Sequence, residues 1–380
     1  MKIIHSGFDT ICFAVKGALS GEAHELLSIA KEQAQKEQRE VPVKIGKYKI
    51  PVNVSSSGLQ GGYAYSINTG PVGLMLSFKD NLLRTEWNGF VKIRSANLAV
   101  FGWKQAISSA LQVLDDIEFY QCGISLNRVD YCMDFLNLGM EFDPTCFVAH
   151  ARVNKAVHYG QPPTCAHVDK QVNYRSDRVQ SITLGKMPGR QIIIYDKRAE
   201  TIVKRSFQWF KIWDIDRHDP TQTVHRVELR AGKNELKNFK IVTLEDFEAC
   251  IGDLFAKAVH VIRYVNPHMN DTNISRHKSH PLWLHVVDHV KNQFLKYSSG
   301  VEPEDFLEVI REEKAREYIQ QMKGLAAGYA VCSDIEYEDI PKAVSEEIQE
   351  VLQTAISSNN DKFSKTYIRA QDRLRFITTK

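Results

Sequence analysis

Acids, arginines and a tyrosine alternate with apolar residues in three short segments. In Asn127-Arg128-Val129-Asp130-Tyr131-Cys132-Met133-Asp134-Phe135, an extended backbone puts Arg128, Asp130, Cys132 and Asp134 on one face. Val129, Tyr131, Met133 and Phe135 take the opposite face, which reads as a core face. In Gln191-Ile192-Ile193-Ile194-Tyr195-Asp196-Lys197, Tyr195 and Lys197 share a face with Ile193. In His225-Arg226-Val227-Glu228-Leu229-Arg230, the side chains of Arg226, Glu228 and Arg230 oppose Val227 and Leu229. If the three strands are neighbours in one sheet, a single surface carries three carboxylates, three arginines, a lysine and a tyrosine. Carboxylate oxygens are hard ligands that suit Mg²⁺ or Mn²⁺. Arginine forks suit phosphate oxygens. A tyrosine beside both is then the obvious nucleophile. The plainer reading of such a face is solvated sheet surface, although that more often shows Thr, Ser, Gln and Lys than alternating acid and arginine.

A free phenol has a pKa near 10, so ionising it at pH 7 costs about 4 kcal/mol. Lys197, on the same face by alternation, is expected to lower that cost, and a bound metal to lower it more. Arg226 or Arg230 would stabilise charge building on phosphoryl oxygens. The alternatives are structural: a strand tyrosine packed in the core with its hydroxyl satisfied, a surface ion pair for Lys197 and Glu200, and Arg128 as partner of an acid rather than of a phosphate.

Taken in order, Arg128 to Asp134, then Gly185-Lys186-Met187-Pro188-Gly189-Arg190-Gln191-Ile192-Ile193-Ile194-Tyr195-Asp196-Lys197-Arg198-Ala199-Glu200, then Arg226 to Arg230, resemble the successive motifs of the Rep_trans replication initiation factors. That family takes in staphylococcal-type rolling-circle plasmid initiators, relaxases of integrative conjugative elements and replication proteins of filamentous phages. The phage type is the most similar, through the Gly185 to Gln191 lead-in and Phe8-Asp9-Thr10. The motifs lie between residues 127 and 230, with a looser likeness over about residues 5 to 280.

The resemblance implies a rolling-circle initiator or relaxase. Such an enzyme nicks and rejoins single-stranded origin DNA through a 5′-phosphotyrosine and leaves a free 3′-OH. It puts the family tyrosine on Tyr195, and the acids of its R-x-D and R-x-E motifs on Asp130 and Glu228. Asp134 matches a further family acid and completes the expected metal set for Mg²⁺ or Mn²⁺. Lys197, Arg226 and Arg230 are the expected catalytic partners of Tyr195. No His-hydrophobic-His motif is present, so carboxylates must carry the cation. Two rivals stay open: a non-catalytic origin- or operator-binding protein, and a hydrolytic metal-dependent nuclease in which water attacks.

The elements that must position these residues are read from periodicity. Phe8 to Val15 predicts a strand, Gly21 to Gln38 an amphipathic helix, and Gly62 to Phe78 a hairpin turning at Asn68-Thr69-Gly70-Pro71. Phe90 to Phe101 predicts one or two strands, Trp103 to Leu114 a helix, and Tyr159 to Arg178 a long loop able to read an origin. Leu244 to Val265, Pro281 to Tyr297, Glu302 to Ala327 and Pro341 to Phe376 all carry helical periodicity. The expected fold is α+β: an antiparallel-rich central sheet with a polar catalytic face flanked by helices, plus a C-terminal all-helical region. The expected parts are 1–120 and 121–240, together one nuclease domain, and a helical 241–380.

Charge and composition narrow the partners. Lys186 to Lys240 holds 13 Lys/Arg against 7 Asp/Glu, and Val301 to Asp361 holds 5 against 15. The basic middle suggests a polyanion, with Lys186, Arg190, Arg198, Lys204, Arg205 and Lys211 as DNA contacts. Lys204 to Trp213 interleaves cations with four large aromatics, which reads either as a base-stacking surface or as a helix with its aromatic side in the core. The seven cysteines include no C-x-x-C pair, so no disulfide framework or zinc ribbon is indicated. His285-Val286-Val287-Asp288-His289 lacks the glutamate of a zinc peptidase helix. No G-x-x-x-x-G-K-[ST] occurs, so strand separation would fall to a host helicase. Single-stranded or hairpin origin DNA and a second copy of the chain are the other expected partners. No apolar run reaches a membrane span, and the first residues are too polar for a secretory signal, so a bacterial cytoplasmic location is expected.

Overall fold

The computed structural model describes residues 1–70, 73–140, 142–148, 156–158, 170–175, 178–204, 206–267, 276–294, 303–358 and 361–374. The chain divides into two compact units, Met1–Ser299 and Gly300–Lys380.

The first unit begins with β1 (Lys2–Leu19), α1 (Gly21–Glu37), β2 (Val41–Ile45), β3 (Ile50–Val54), β4 (Tyr65–Asn68), β5 (Leu74–Phe78), β6 (Gly89–Arg94), α2 (Ser95–Asp116) and β7 (Phe119–Leu136). It continues with β8 (Phe147–Val148), β9 (Ala156–His158), β10 (Lys170–Arg175), β11 (Arg178–Gly185), β12 (Arg190–Asp196), α3 (Lys197–Val203), α4 (Gln208–Trp213) and β13 (Val224–Gly232). It closes with α5 (Lys233–Asn238), α6 (Leu244–Val261), β14 (Arg263–Tyr264) and α7 (Pro281–Phe294). Among the described residues one twelve-stranded sheet runs β2-β3-β4-β5-β6-β1-β7-β13-β12-β11-β10-β9, and β8 pairs with β14 apart from it. Every neighbouring pair in the large sheet is antiparallel except β9 with β10. The fold is α+β, with β1, β7, β13 and β12 side by side.

Alternation sorts β7, β12 and β13 as their sequences predict. Ile11, Val129, Tyr131, Met133, Ile192, Ile194, Val227 and Leu229 are buried in one core. Helices α6 and α7 cover it: Phe8 lies 5.6 Å from the Phe247 ring and 6.0 Å from Phe294, and Tyr131 lies 4.8 Å from Phe294. Each such aromatic contributes roughly 1.5–3 kcal/mol by leaving water. Helix α6 starts where Thr243 and Asp246 form a reciprocal capping box. These contacts place α6 and α7 in the first unit, so the boundary expected at 240/241 lies instead at 299/300. Helical periodicity marks an apolar face without saying whose core receives it.

The hairpin at residues 62–78 forms as β4 and β5, while three local readings change. Residues 95–101 open α2 rather than a second strand, and α2 bends at Gly102 (φ 71°). Residues 170–175 form β10 instead of loop, and residues 159–169 of the supposed origin-reading element lie outside the described residues. Lys197 is the first residue of α3 and not the last of β12, because the Asp196 side chain accepts from Ala199 N and caps a helix there.

The second unit holds α8 (Pro303–Cys332), α9 (Ile340–Ser357) and α10 (Asp361–Leu374), the last two sharing the helical periodicity of 341–376. Among the described residues no helix is long and apolar enough to cross a membrane.

Candidate active site

Strand register assembles the polar face. Between β13 and β7, Arg226 stands opposite Asp134, Glu228 opposite Cys132 and Arg230 opposite Asp130. Between β12 and β13, Tyr195 stands opposite Arg226 and Ile193 opposite Glu228. The β11–β12 hairpin that feeds Tyr195 into this row turns at Gly185 (φ 84°), where a Cβ would stand 2.2 Å from the Arg190 carbonyl oxygen. Only glycine fits that position, which accounts structurally for the first residue of the Gly185 to Gln191 lead-in.

A fourth carboxylate reaches the face from β1. Phe8 pairs with Tyr131 and Thr10 with Asp130, so Asp9 is the extra residue of a β-bulge. Strict alternation would have put Asp9 beside Ile11 and Phe13, both in the core. The bulge lets Phe8 and Ile11 face the core together and turns Asp9 to the polar side. Oxygens of Asp9, Asp130 and Glu228 all lie within 4.8 Å of one another. Asp130 and Glu228 are buried and Asp9 is half-buried. Asp9 is absent from the residues expected at the site; its only signal in the sequence is the Phe8-Asp9-Thr10 likeness.

Asp134 does not join this group. Arg226 Nε and Nη2 donate to its two oxygens at 2.6 and 2.7 Å, and Trp213 Nε1 donates to Oδ2 at 2.7 Å. Asp134 and Arg226 are both wholly buried. The third nitrogen of Arg226 bonds Asp9, and its guanidinium lies 4.4 Å from the centre of the Trp209 ring. Arg226 therefore organises the face from below and has no edge left for a phosphate. Trp209, Phe210 and Trp213 of α4 are buried around this pair, so the aromatics of Lys204 to Trp213 form core rather than a stacking surface.

The remaining polar groups form a second set. Arg230 Nε donates to Glu228 at 2.7 Å and lies 3.8 Å from Asp130. Arg128 forks Asp130 through Nε at 2.9 Å and Nη2 at 2.5 Å, as the structural alternative held. The Tyr195 hydroxyl donates to Glu228 Oε2 at 3.2 Å. Lys197 Nζ lies over the Tyr195 ring at 5.6 Å but is bonded to Glu200 at 2.5 Å.

Electrostatics follow from these partners. Burial pushes Asp130 up to about 7 against the pull of Arg128, and Glu228 adds to the rise. Burial and the neighbouring Glu228 also raise Asp9. Burial would raise Glu228 as well, but Arg230, Arg226 and Lys197 outweigh it and hold that carboxyl below its usual range. For Tyr195, burial and the Glu228 charge drive the phenol well above its ordinary value. The expected lowering by Lys197 is not seen, because that cation answers to Glu200. The face holds four carboxylates against three arginines, and two of the three clustered carboxylates are reluctant to ionise. That is the donor set and the charge imbalance a hard divalent cation satisfies.

No family model matches the chain, and no curated protein matches it. A solved structure, described as "Structure of Rolling Circle Replication Initiator Protein from Geobacillus stearothermophilus", is similar to it at 14% sequence identity and a TM-score of 0.41. The match covers 76% of this chain and 96% of that one. What this chain does is therefore read from its own side chains.

The expected DNA contacts separate into two groups. Lys186, Lys204 and Lys211 are exposed, with Lys204 also bonded to Glu200. Arg190 is instead paired with Glu235 at 3.1 Å. Arg198 donates to the carbonyls of Arg217 and Asp219, pinning the loop after α4. Both arginines are committed to partners within the fold, which charge counting along the chain cannot detect. Arg205 lies outside the described residues.

Proposed function

We propose that the protein is a metal-dependent, tyrosine-type DNA nicking and joining enzyme that starts rolling-circle replication or strand transfer. The observation that carries this reading is a tyrosine hydroxyl bonded to one of three converging carboxylates. The likeness of its three motifs to the Rep_trans initiators supports the same assignment.

Asp9, Asp130 and Glu228 would hold one Mg²⁺ or Mn²⁺, which when bound would supply positive charge for the phosphoryl oxygens. Tyr195 is the nucleophile: its oxygen bonds to phosphorus as the bond from phosphorus to the 3′-oxygen breaks. The phenol proton already points at Glu228 Oε2, making Glu228 its first acceptor, and the departing 3′-oxygen takes up one proton in return. One phosphodiester replaces another, so rejoining needs no external energy. Arg230, half-buried between Glu228 and Asp130, is the arginine placed to meet phosphate. Arg226 and Asp134 act by positioning Asp9. Lys197 shields the phenol from Glu200. Origin DNA, a separate helicase and a second copy of the chain belong to this reading as partners.

The test is incubation with single-stranded DNA and Mn²⁺ or Mg²⁺, followed by denaturing electrophoresis. Covalent protein–DNA adducts that vanish with chelator are expected. A binding protein would form none, and a hydrolytic nuclease would leave products free of protein.

Two further outcomes follow from the carboxylate cluster. Because Asp130 titrates at about 7 in the metal-free fold, ion binding must expel a proton at lower pH. Mn²⁺ affinity should rise with pH up to about 7–8 and then level. The sign for stability is consistent. A carboxyl raised by folding stabilises the metal-free fold below its unfolded pKa near 4, and that stability is lost as pH climbs through 7. The gap in melting temperature between Mn²⁺-loaded and chelated protein should therefore widen from pH 6 to 8; a constant gap would place the ion elsewhere. Second, Asp9→Asn should weaken Mn²⁺ binding at least about 100-fold, since even outer partners of metal sites are worth 10–100-fold. Isothermal titration showing unchanged affinity would remove Asp9 from the set.

A further inference from the structure

Beyond the carboxylate cluster the same sheet face changes character. Tyr195 stands opposite Ser181 and Ile193 opposite Thr183 across β11, and Ser181 stands opposite Asn173 across β10. The row that begins with charged residues on β7 and β13 thus continues as hydroxyls and an amide. Asn173 Nδ2 donates to Ser181 Oγ at 2.7 Å, which orients the two as a pair. A bulge between β10 and β11 makes Gln180 an extra residue, and it joins the same lining.

These side chains line a cleft of about 500 Å³ together with α3 residues, Tyr195 and Arg230. Its size falls within the roughly 300–1,000 Å³ of small-ligand sites. Its charge is balanced: Asp196 and Glu200 face Lys204 and Arg230. Lys204 is already bonded to Glu200, and Arg230 to Glu228. Beyond the scissile phosphate that Arg230 meets beside Tyr195, a phosphodiester in this cleft would find only Lys204, already bonded to Glu200, and the carboxylates of Asp196 and Glu200 against it. An uncharged, flat, hydrogen-bonding group would find hydroxyl and amide partners in the lining and the apolar side chains of Ile193 and Val203 beside them.

We infer that this cleft receives a nucleobase of single-stranded DNA, the one next to the phosphate offered to Tyr195, and reads its edge through Asn173, Gln180, Ser181 and Thr183. The inference rests on the tyrosine reading above and adds to it a source of sequence preference at the cleaved bond. Amides and hydroxyls are the groups that distinguish base edges, and an unpaired base can be turned into a cleft that a duplex could not enter.

The experiment uses the full chain, Mn²⁺ and a pool of random-sequence single-stranded oligonucleotides, with sequencing of the DNA captured covalently on the protein. Wild type is expected to show a strong base preference at one position flanking the cleaved bond. The Ser181→Ala/Thr183→Val double variant should flatten that preference about tenfold, the scale of a lost edge contact. Preferences at more distant positions should stay in place. Thr183→Val, which keeps the side-chain shape, repeats the measurement if the double variant does not fold. An unchanged profile in a folded variant overturns the cleft as the reader. Adducts with no preference beside the cleaved bond do the same and leave the tyrosine reading standing. Failure to form adducts with any sequence removes both.

Discussion

Tyr195→Phe is expected to lower covalent adduct formation by about 10⁴-fold or more, the scale seen when an enzyme loses its nucleophile, with DNA binding close to wild type. The ring keeps its place on β12 under Lys197, and only the hydroxyl bonded to Glu228 is lost. That hydrogen bond is worth about 1 kcal/mol of stability, so the variant should fold. Denaturing electrophoresis of reactions with single-stranded DNA reads the adduct, and fluorescence anisotropy reads binding. Adducts at the wild-type rate would move the chemistry to another side chain. The high phenol pKa in the metal-free site sharpens the expectation: with chelator, wild type should be as inert as the variant, because burial and Glu228 keep the proton in place. Activity in chelator would mean that the phenol ionises without the carboxylates being neutralised, against the geometry of the face.

Asp134→Ala is expected to cost about 3–5 kcal/mol of stability, since it strands a buried guanidinium without its main partner. Arg226 would keep only its bond to Asp9 and its place over Trp209, and the Trp213 indole N–H would lose its acceptor. A chemical melt compared with wild type measures the loss. A loss below about 1 kcal/mol would mean that the pair is hydrated rather than buried. Replacing Asp134 and Arg226 together by Leu and Met should recover part of the stability, because a packed apolar pair carries no desolvation penalty. The double variant should still bind Mn²⁺ poorly, as Asp9 then lacks its tether. That combination separates the structural role of the pair from the ligand role first expected of Asp134.

Strand alternation alone tells which residues share the polar face. Side chains on a strand alternate with a period of two, whatever the rest of the fold does. Asp130, Asp134, Arg226, Glu228, Arg230 and Tyr195 could therefore be grouped before any coordinates, and the apolar halves of the same strands predicted the core. Alternation does not measure distance across strands, and it fails where a strand slips by one residue. The bulge at Asp9 exists because β1 must present Phe8 and Ile11 to the same core, a demand set by α6 and α7 folding over it. Which carboxylates cluster and which pair with arginine was likewise decided in three dimensions. Helix α4 lowers Trp209 and Trp213 onto Arg226 and Asp134, excluding water from that end of the face. The other end keeps Asp9, Asp130 and Glu228 together, with Arg230 and Tyr195 half-buried beside them. Which acid joins the cluster and which is locked to an arginine thus depends on what packs above each, information that no single strand carries.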